Sequence, residues 1–272
     1  MKSTKTILVA VDLSKYSHVV VRQAKELAGE MGLPLVYVYV FEDISIIKED
    51  FDVKKYQIVR DYDQQIRSEY VLDAGDKVFI KFGRAYEEII KLAKGLSQPF
   101  IVAGHRGNNP ILRFFTGSTA ERLAQCSPFP VWIHKKQSVS MPKRILVASD
   151  LSATSSQTIA KANEFKSALH AKLEVLHVVP EPVPILDIEF YSQLYKNIKR
   201  EDSRQLKIFK KKHPSLITVK AKGSIVGQIQ ARAKAFDVLA VSPHNRKASL
   251  APMGSITAKL IRTGDTPLLI LP

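Results

Sequence analysis

Lys5-Thr6-Ile7-Leu8-Val9-Ala10-Val11-Asp12-Leu13-Ser14 returns 138 residues later as Lys143-Arg144-Ile145-Leu146-Val147-Ala148-Ser149-Asp150-Leu151-Ser152. Each copy is an apolar run too short for a helix and rich in β-branched residues, closed by Asp-Leu-Ser. The pattern predicts a strand buried on both faces that ends in a helix cap. Further landmarks recur in the same order: Leu35 to Val40 with Leu173 to Val178, Gly83 with Gly223, Gly117-Ser118 with Gly254-Ser255, and Pro130 to Ile133 with Pro267 to Ile270. A repeat with a period of 137 to 140 residues in a chain of 272 implies two similar domains, 1–137 and 138–272.

Between the strand-like runs the apolar period becomes helical, as in Val20, Ala24, Leu27, Ala28 and in Tyr86, Ile89, Ile90, Ala93. The first half reads strand 6–11, helix 16–31, strand 35–40, helix 55–73, strand 77–82, helix 84–96, strand 100–104, helix 117–126 and strand 130–134, and the second half repeats it. Such alternation predicts an α/β fold: in each half a five-stranded parallel sheet with helices on both faces. The polar stretch Lys135 to Pro142 marks the boundary.

Composition is that of a globular chain, 45% hydrophobic and 25% charged. The apolar runs are far shorter than the roughly 18 residues of a membrane span, and Met1 to Lys5 leads straight into a strand, so a cytoplasmic protein is expected. Net charge is +15 and unevenly spread: residues 1–137 hold 20 basic and 16 acidic side chains, residues 138–272 hold 21 and 10. The single cysteine, Cys126, falls in a helical pattern and is expected to be a small buried hydrophobe.

Ligands of open parallel sheets bind beyond the carboxyl ends of the strands. There, Gly104-His105-Arg106-Gly107 is followed by Gly117-Ser118-Thr119 at a helix start, a Gly-x2-Gly-x9-Gly-Ser pattern. Two close glycines admit backbone to a ligand, and the free N–H groups of a helix start favour an anion. No Walker-type lysine loop is present.

With this loop the sequence resembles the universal stress protein family in its tandem form, over residues 3–134 and 141–272, including Thr119 to Leu123 and Ser127 to Val131. The resemblance implies Rossmann-like (flavodoxin-like) domains that dimerise through their last strands and often hold ATP. It places Ala10, Val11, Asp12 and Val40 around the adenosine, and Gly104, Gly107, Gly117, Ser118 and Thr119 around the ribose and phosphates. Asp12 has a second reading, a cap for the helix that follows, which Asp150 repeats. Gly83 and Gly223 read as turn residues.

The seven histidines show no paired ligand spacing, so a divalent ion, Mg or Mn, would ride on the phosphates. No catalytic residue is identified, and a slow ATPase would need a base that the sequence does not mark. Aligned on Gly254-Ser255, the second half has Val241 for Gly104 and His244 for Gly107, a degraded loop expected to be structural. Its basic excess gathers between Lys196 and Lys212 on a long helix with a solvated face. The leading reading is therefore a cytoplasmic ATP-binding stress-response regulator, its two domains paired as an intramolecular pseudo-dimer and its nucleotide a conformational or partner-choice signal. The rival is an adaptor that meets an unidentified acidic protein partner through the basic face, with no sequence-specific nucleic acid contact.

Overall fold

The computed structural model describes residues 5–42, 51–105, 119–180, 188–215, 217–243 and 254–272. The chain divides into two compact units, residues 1–141 with 267–270 and 272, and residues 142–266 with 271.

In the first unit, β1 (Thr6–Val11) leads into α1 (Lys15–Met31), β2 (Leu35–Phe41), α2 (Phe51–Glu69), β3 (Lys77–Phe82), α3 (Ala85–Lys94), β4 (Pro99–Gly104), α4 (Thr119–Cys126) and β5 (Val131–His134). The five strands pair in parallel in the order β3, β2, β1, β4, β5. Residues Leu268–Ile270, β10, add an antiparallel strand on β5, with Leu269 opposite Trp132. The core is the sheet itself: Ile7, Leu8, Val9, Ile101, Val102 and Trp132 are almost without exposure. Helix α1 lies on β1, β2 and β4, while α3 and α4 pack side by side, α3 on β2, β3 and β4. Its buried stripe of Val20, Ala24, Leu27 and Ala28 has helical spacing, and Gly32, at φ +62°, stops it by returning its N–H to the Ala28 carbonyl. Buried Gln23 fixes the stretch after β5: its amide donates to the Ser140 carbonyl at 3.1 Å and accepts the Ser140 N–H at 3.2 Å.

The second unit runs β6 (Arg144–Ala148), α5 (Ala153–Ala168), β7 (Lys172–Pro180), α6 (Ile188–Lys212), β8 (Ile217–Gly223), α7 (Ile225–Ala233), β9 (Val238–Val241) and α8 (Ser255–Thr263). Its strands pair in parallel in the order β9, β6, β7, β8, and the Leu271 N–H donates to the Val241 carbonyl. Both units thus present a switch point, where the chain leaves one central strand to either side: β1 between β2 and β4, and β6 between β7 and β9.

Three sequence expectations shift. Helix α2 ends at Glu69 rather than 73, because Val71 adopts φ +49° and the Leu72 N–H closes the turn on the Arg67 carbonyl. Cys126 is exposed, not buried. The inward stripe of α4 is Ala120, Leu123 and Ala124, continued by buried Ser127, and Cys126 falls off that stripe. The register also corrects the alignment of the two halves. Val9 pairs with Val102 and its counterpart Val147 with Ala240, so Ser242 stands level with Gly104, and Val241 is a core residue level with Ala103. The second loop is one residue shorter, and an alignment anchored on Gly254 slips by one along the strand. Gly83 and Gly223, at φ +133° and +110°, occupy the turn conformation that favours glycine.

Candidate functional site

The entry to each unit's first helix is the same construction. Asp12 Oδ1 accepts the Ser14 N–H at 3.1 Å and the Ser17 hydroxyl at 2.6 Å, and the Ser17 oxygen accepts the Asp12 N–H at 3.1 Å. Ser14 caps α1 by accepting the Ser17 N–H at 3.1 Å. In the second unit Asp150, Ser152 and Ser155 repeat every one of these bonds, at 3.0, 2.5, 3.1 and 3.1 Å. Between carboxylate and cap, Leu13 and Leu151 take φ of +59° and +62°. A leucine there costs about 1–2 kcal/mol, which the four hydrogen bonds offset. Partial burial pushes the Asp150 carboxyl up, but the bonds from Ser152 and Ser155 prevail and hold it below its ordinary range. Helix entry therefore engages Oδ1 of both aspartates, as the capping reading requires.

Of the residues singled out from the sequence, Ala10, Val11 and Asp12 sit at the end of β1, Val40 near the end of β2 and Gly104 at the end of β4, all on the carboxyl side of the sheet. Thr119 is the first residue of α4. Gly107, Gly117, Ser118 and Arg106, and in the second half His244, lie outside the described residues.

Gly104 has a packing reason of its own. A Cβ there would stand 3.0 Å from Tyr16 Cε1 and 3.1 Å from Val20 Cγ2, closer than ordinary contact. Tyr16 in turn receives His105, whose Nδ1 lies 3.1 Å from both the Tyr16 hydroxyl and the His134 carbonyl, with the two rings edge-on at 5.2 Å. A carbonyl only accepts, so Nδ1 of His105 carries the hydrogen. His134 is buried among these groups. Loss of solvent pushes its pKa down to about 4, against the opposing pull of the nearby Ser138 and Lys136 backbone, so its imidazole is neutral at pH 7. At the levels of Tyr16, Val20 and Gly104 the second unit carries Thr154, Thr158 and Ser242: smaller residues on the helix, a larger one on the strand.

The two crevices differ most beside the central strand. In the first unit, Tyr39 at the end of β2 stacks on Tyr62 of α2 at 4.9 Å, and Phe41 meets Tyr62 edge-on at 5.6 Å. Burial, then the neighbouring Tyr62 and Asp12, push the Tyr39 hydroxyl well above its ordinary pKa, so the phenol stays neutral. In the second unit, the register places His177 at Tyr39's position. His177 Nδ1 lies 3.0 Å from the Ser149 carbonyl, its Nε2 meets Asp202 Oδ1 on α6, and Lys220 of β8 reaches Asp202 Oδ2 at 2.6 Å. Burial raises the Asp202 carboxyl, but Lys220 and His177 outweigh it and keep the group ionised, below the usual carboxylate range. Both histidine nitrogens therefore face oxygen acceptors, one a carbonyl and one a carboxylate.

Sequence reasoning passed over these residues, although a signal existed. Asp202 shares the helical face of Ile198 and Phe209, four residues after the one and seven before the other, so periodicity separates it from the solvated charges around it. Among the described residues no three His, Cys, Asp or Glu side chains converge as metal ligands, and no helix is long and apolar enough to cross a membrane.

The universal stress protein family model matches the chain twice, over residues 3–135 and 141–272. The chain belongs to this family. Solved structures agree on the fold. A universal stress protein from Archaeoglobus fulgidus is 19% identical, with 97% of this chain and 95% of that one covered and a TM-score of 0.65. A protein of unknown function from Pseudomonas aeruginosa is 18% identical, with 99% and 92% covered and a TM-score of 0.65. No curated protein matches the chain. The two halves are thus tandem universal stress protein domains of Rossmann-like fold.

Two consequences are measurable. Gly104→Ser should destabilise by overpacking against Tyr16, about 1–3 kcal/mol. Combined with Tyr16→Thr, which imports the second unit's small helix residue, it should cost less than the sum of the single changes; strict additivity in urea unfolding would show that the two positions do not share space. Asp202→Ala leaves the His177 ring and the Lys220 ammonium without the carboxylate they share, for which about 3 kcal/mol is expected, the low end for a buried pair because Lys220 is partly exposed. The Asp202 carboxyl is depressed on folding, so its contribution is present above pH about 4 and fades below it. The difference in urea midpoint between wild type and Asp202→Ala should accordingly narrow between pH 5 and pH 2.5; a constant difference would contradict an ionised Asp202.

Proposed function

We propose that this universal stress protein is an ATP-binding regulator in which the nucleotide sits in the N-terminal domain, residues 1–137, and acts as a conformational or partner-choice signal in the cytoplasm. The C-terminal domain, residues 138–272, keeps the fold with a degraded loop. One observation carries the asymmetry: where the second unit packs the His177 ring against the Asp202 carboxylate, itself paired with the partly exposed Lys220 ammonium, the first unit has neutral aromatic rings, Tyr39 and Tyr62, beside half-buried Ala10 and Val40. A planar, uncharged base suits the neutral rings of the first unit and not the charged groups of the second.

In this reading Ala10, Val11, Asp12 and Val40 border the adenosine. Gly104, Gly107, Gly117, Ser118 and Thr119 hold the ribose and phosphates, whose charge the amino end of α4 favours. Any Mg or Mn would be carried by the phosphates. ATP would bring its own triphosphate charge, and the chain's part would be to bind and orient it; no group at these strand ends is assigned as a catalytic base.

We also infer that the two domains form an intramolecular pseudo-dimer through their last strands. An unpaired strand edge invites pairing, and covalent linkage raises the effective concentration of the second edge. The antiparallel register of Leu268–Ile270 on Val131–Ile133 supports this reading.

Titration calorimetry should find one ATP site per chain, abolished by Gly117→Val and retained in Gly254→Val. Two equivalent sites, or loss only on changing Gly254, would reverse the assignment. Light scattering should return the single-chain mass of 30.5 kDa at micromolar concentration, and a two-chain mass would place the strand pairing between molecules.

A further inference from the structure

The 25-residue helix α6 carries its charges on one side. At 100° per residue, Lys196, Arg200, Arg204, Lys207, Lys210 and Lys211 fall within one arc of under 140°, all exposed, and between Lys196 and Lys211 no Asp or Glu falls within that arc. Lys199 joins its edge, its ammonium 4.7 Å over the Tyr195 ring. The opposite side is anchored: Phe209 is buried, and Asp202 is tied to His177 and Lys220. That anchor fixes the helix's rotation and turns the cationic arc outward. Lys212 falls outside the arc, and Glu201 pairs with Arg204 from the arc's flank at 3.7 Å.

A solvated helix face commonly mixes both signs and gains from pairs three or four residues apart. From Lys196 to Lys211, about 22 Å at 1.5 Å per residue, this face carries no carboxylate of its own and has one such pair, Arg204 with Glu201 on its flank. We propose that it is a docking strip for double-stranded nucleic acid, gripped through the phosphate backbone without reading of bases. A duplex offers about one negative charge per 1.7 Å of axis, a continuous line of the length and sign that this strip matches. Base stacking with single strands has no platform here, since the Tyr195 ring is covered by Lys199. An anionic bilayer fits less well. The half-exposed Leu194 and Ile208 that would enter it flank Glu201 on the same side of the helix, and a carboxylate there opposes both lipid charge and insertion. The proposal is independent of where ATP binds.

The test is fluorescence anisotropy of the full chain with a labelled 20-base-pair duplex of arbitrary sequence, from 50 to 200 mM salt. Wild type should bind at 50 mM and lose about 10³-fold in affinity by 200 mM, as roughly six neutralised phosphates require. Changing Lys196, Lys207, Lys210 and Lys211 to Gln together should lower the slope of log affinity against log salt by about 3–4. A control with Lys15, Lys77, Lys91 and Lys94 changed to Gln removes the same charge elsewhere and should keep the wild-type slope. Equal losses in the two variants would reduce the effect to net charge and overturn the proposal. So would absence of duplex binding at 50 mM, and so would binding to phosphatidylserine vesicles without binding to the duplex.

Discussion

A single carboxylate oxygen holds the strand-to-helix junction of each unit. Asp12 Oδ1 gathers the Ser14 amide and the Ser17 hydroxyl, and with them forces Leu13 to a positive φ that leucine resists. That local contortion lets a strand buried on both faces emerge from the sheet and become a capped helix within three residues. The position of α1 over β1, β2 and β4 follows from it, and so does the approach of Tyr16 and Val20 to Gly104. That Asp150 reproduces each bond in the second unit shows the constraint to be one of fold, shared by two domains whose strand ends otherwise differ.

The two crevices have diverged by exchange of chemistry at matched positions. Tyr39 and Tyr62 in one unit correspond to His177 and Asp202 in the other, each pair joining the strand after the central one to the long helix that follows. Aromatic stacking is tolerant of a third ring, whereas a desolvated ion network needs every partner in place. On the proposed function, the first arrangement admits a planar guest and the second excludes one.

The repeat made most of the architecture legible. Matching runs at 5–14 and 143–152, and the alternation of periods between them, led to the parallel strands and to the crevice at their carboxyl ends. What the sequence hid came from interactions without periodicity. A one-residue difference in loop length moved Ser242, rather than Val241, opposite Gly104, and only strand register exposes such a slip. Cys126 looked like a core residue because α4 is short, and one position decides which side of its stripe faces in. His177, Asp202 and Lys220 lie 25 and 18 residues apart along the chain, so their meeting depends on how β7, α6 and β8 are laid together.

The buried network of the second unit also bears on how the protein meets a changing cell. Stabilisation by a ligand scales with the logarithm of its concentration, so a domain that depends on a guest softens whenever the guest is scarce. His177, Asp202 and Lys220 are supplied in fixed stoichiometry by the chain itself, and the fold they brace is indifferent to the metabolic state of its surroundings. Such a half can serve as a constant frame, against which a rise or fall in the order of its neighbour becomes a difference that other molecules can sense.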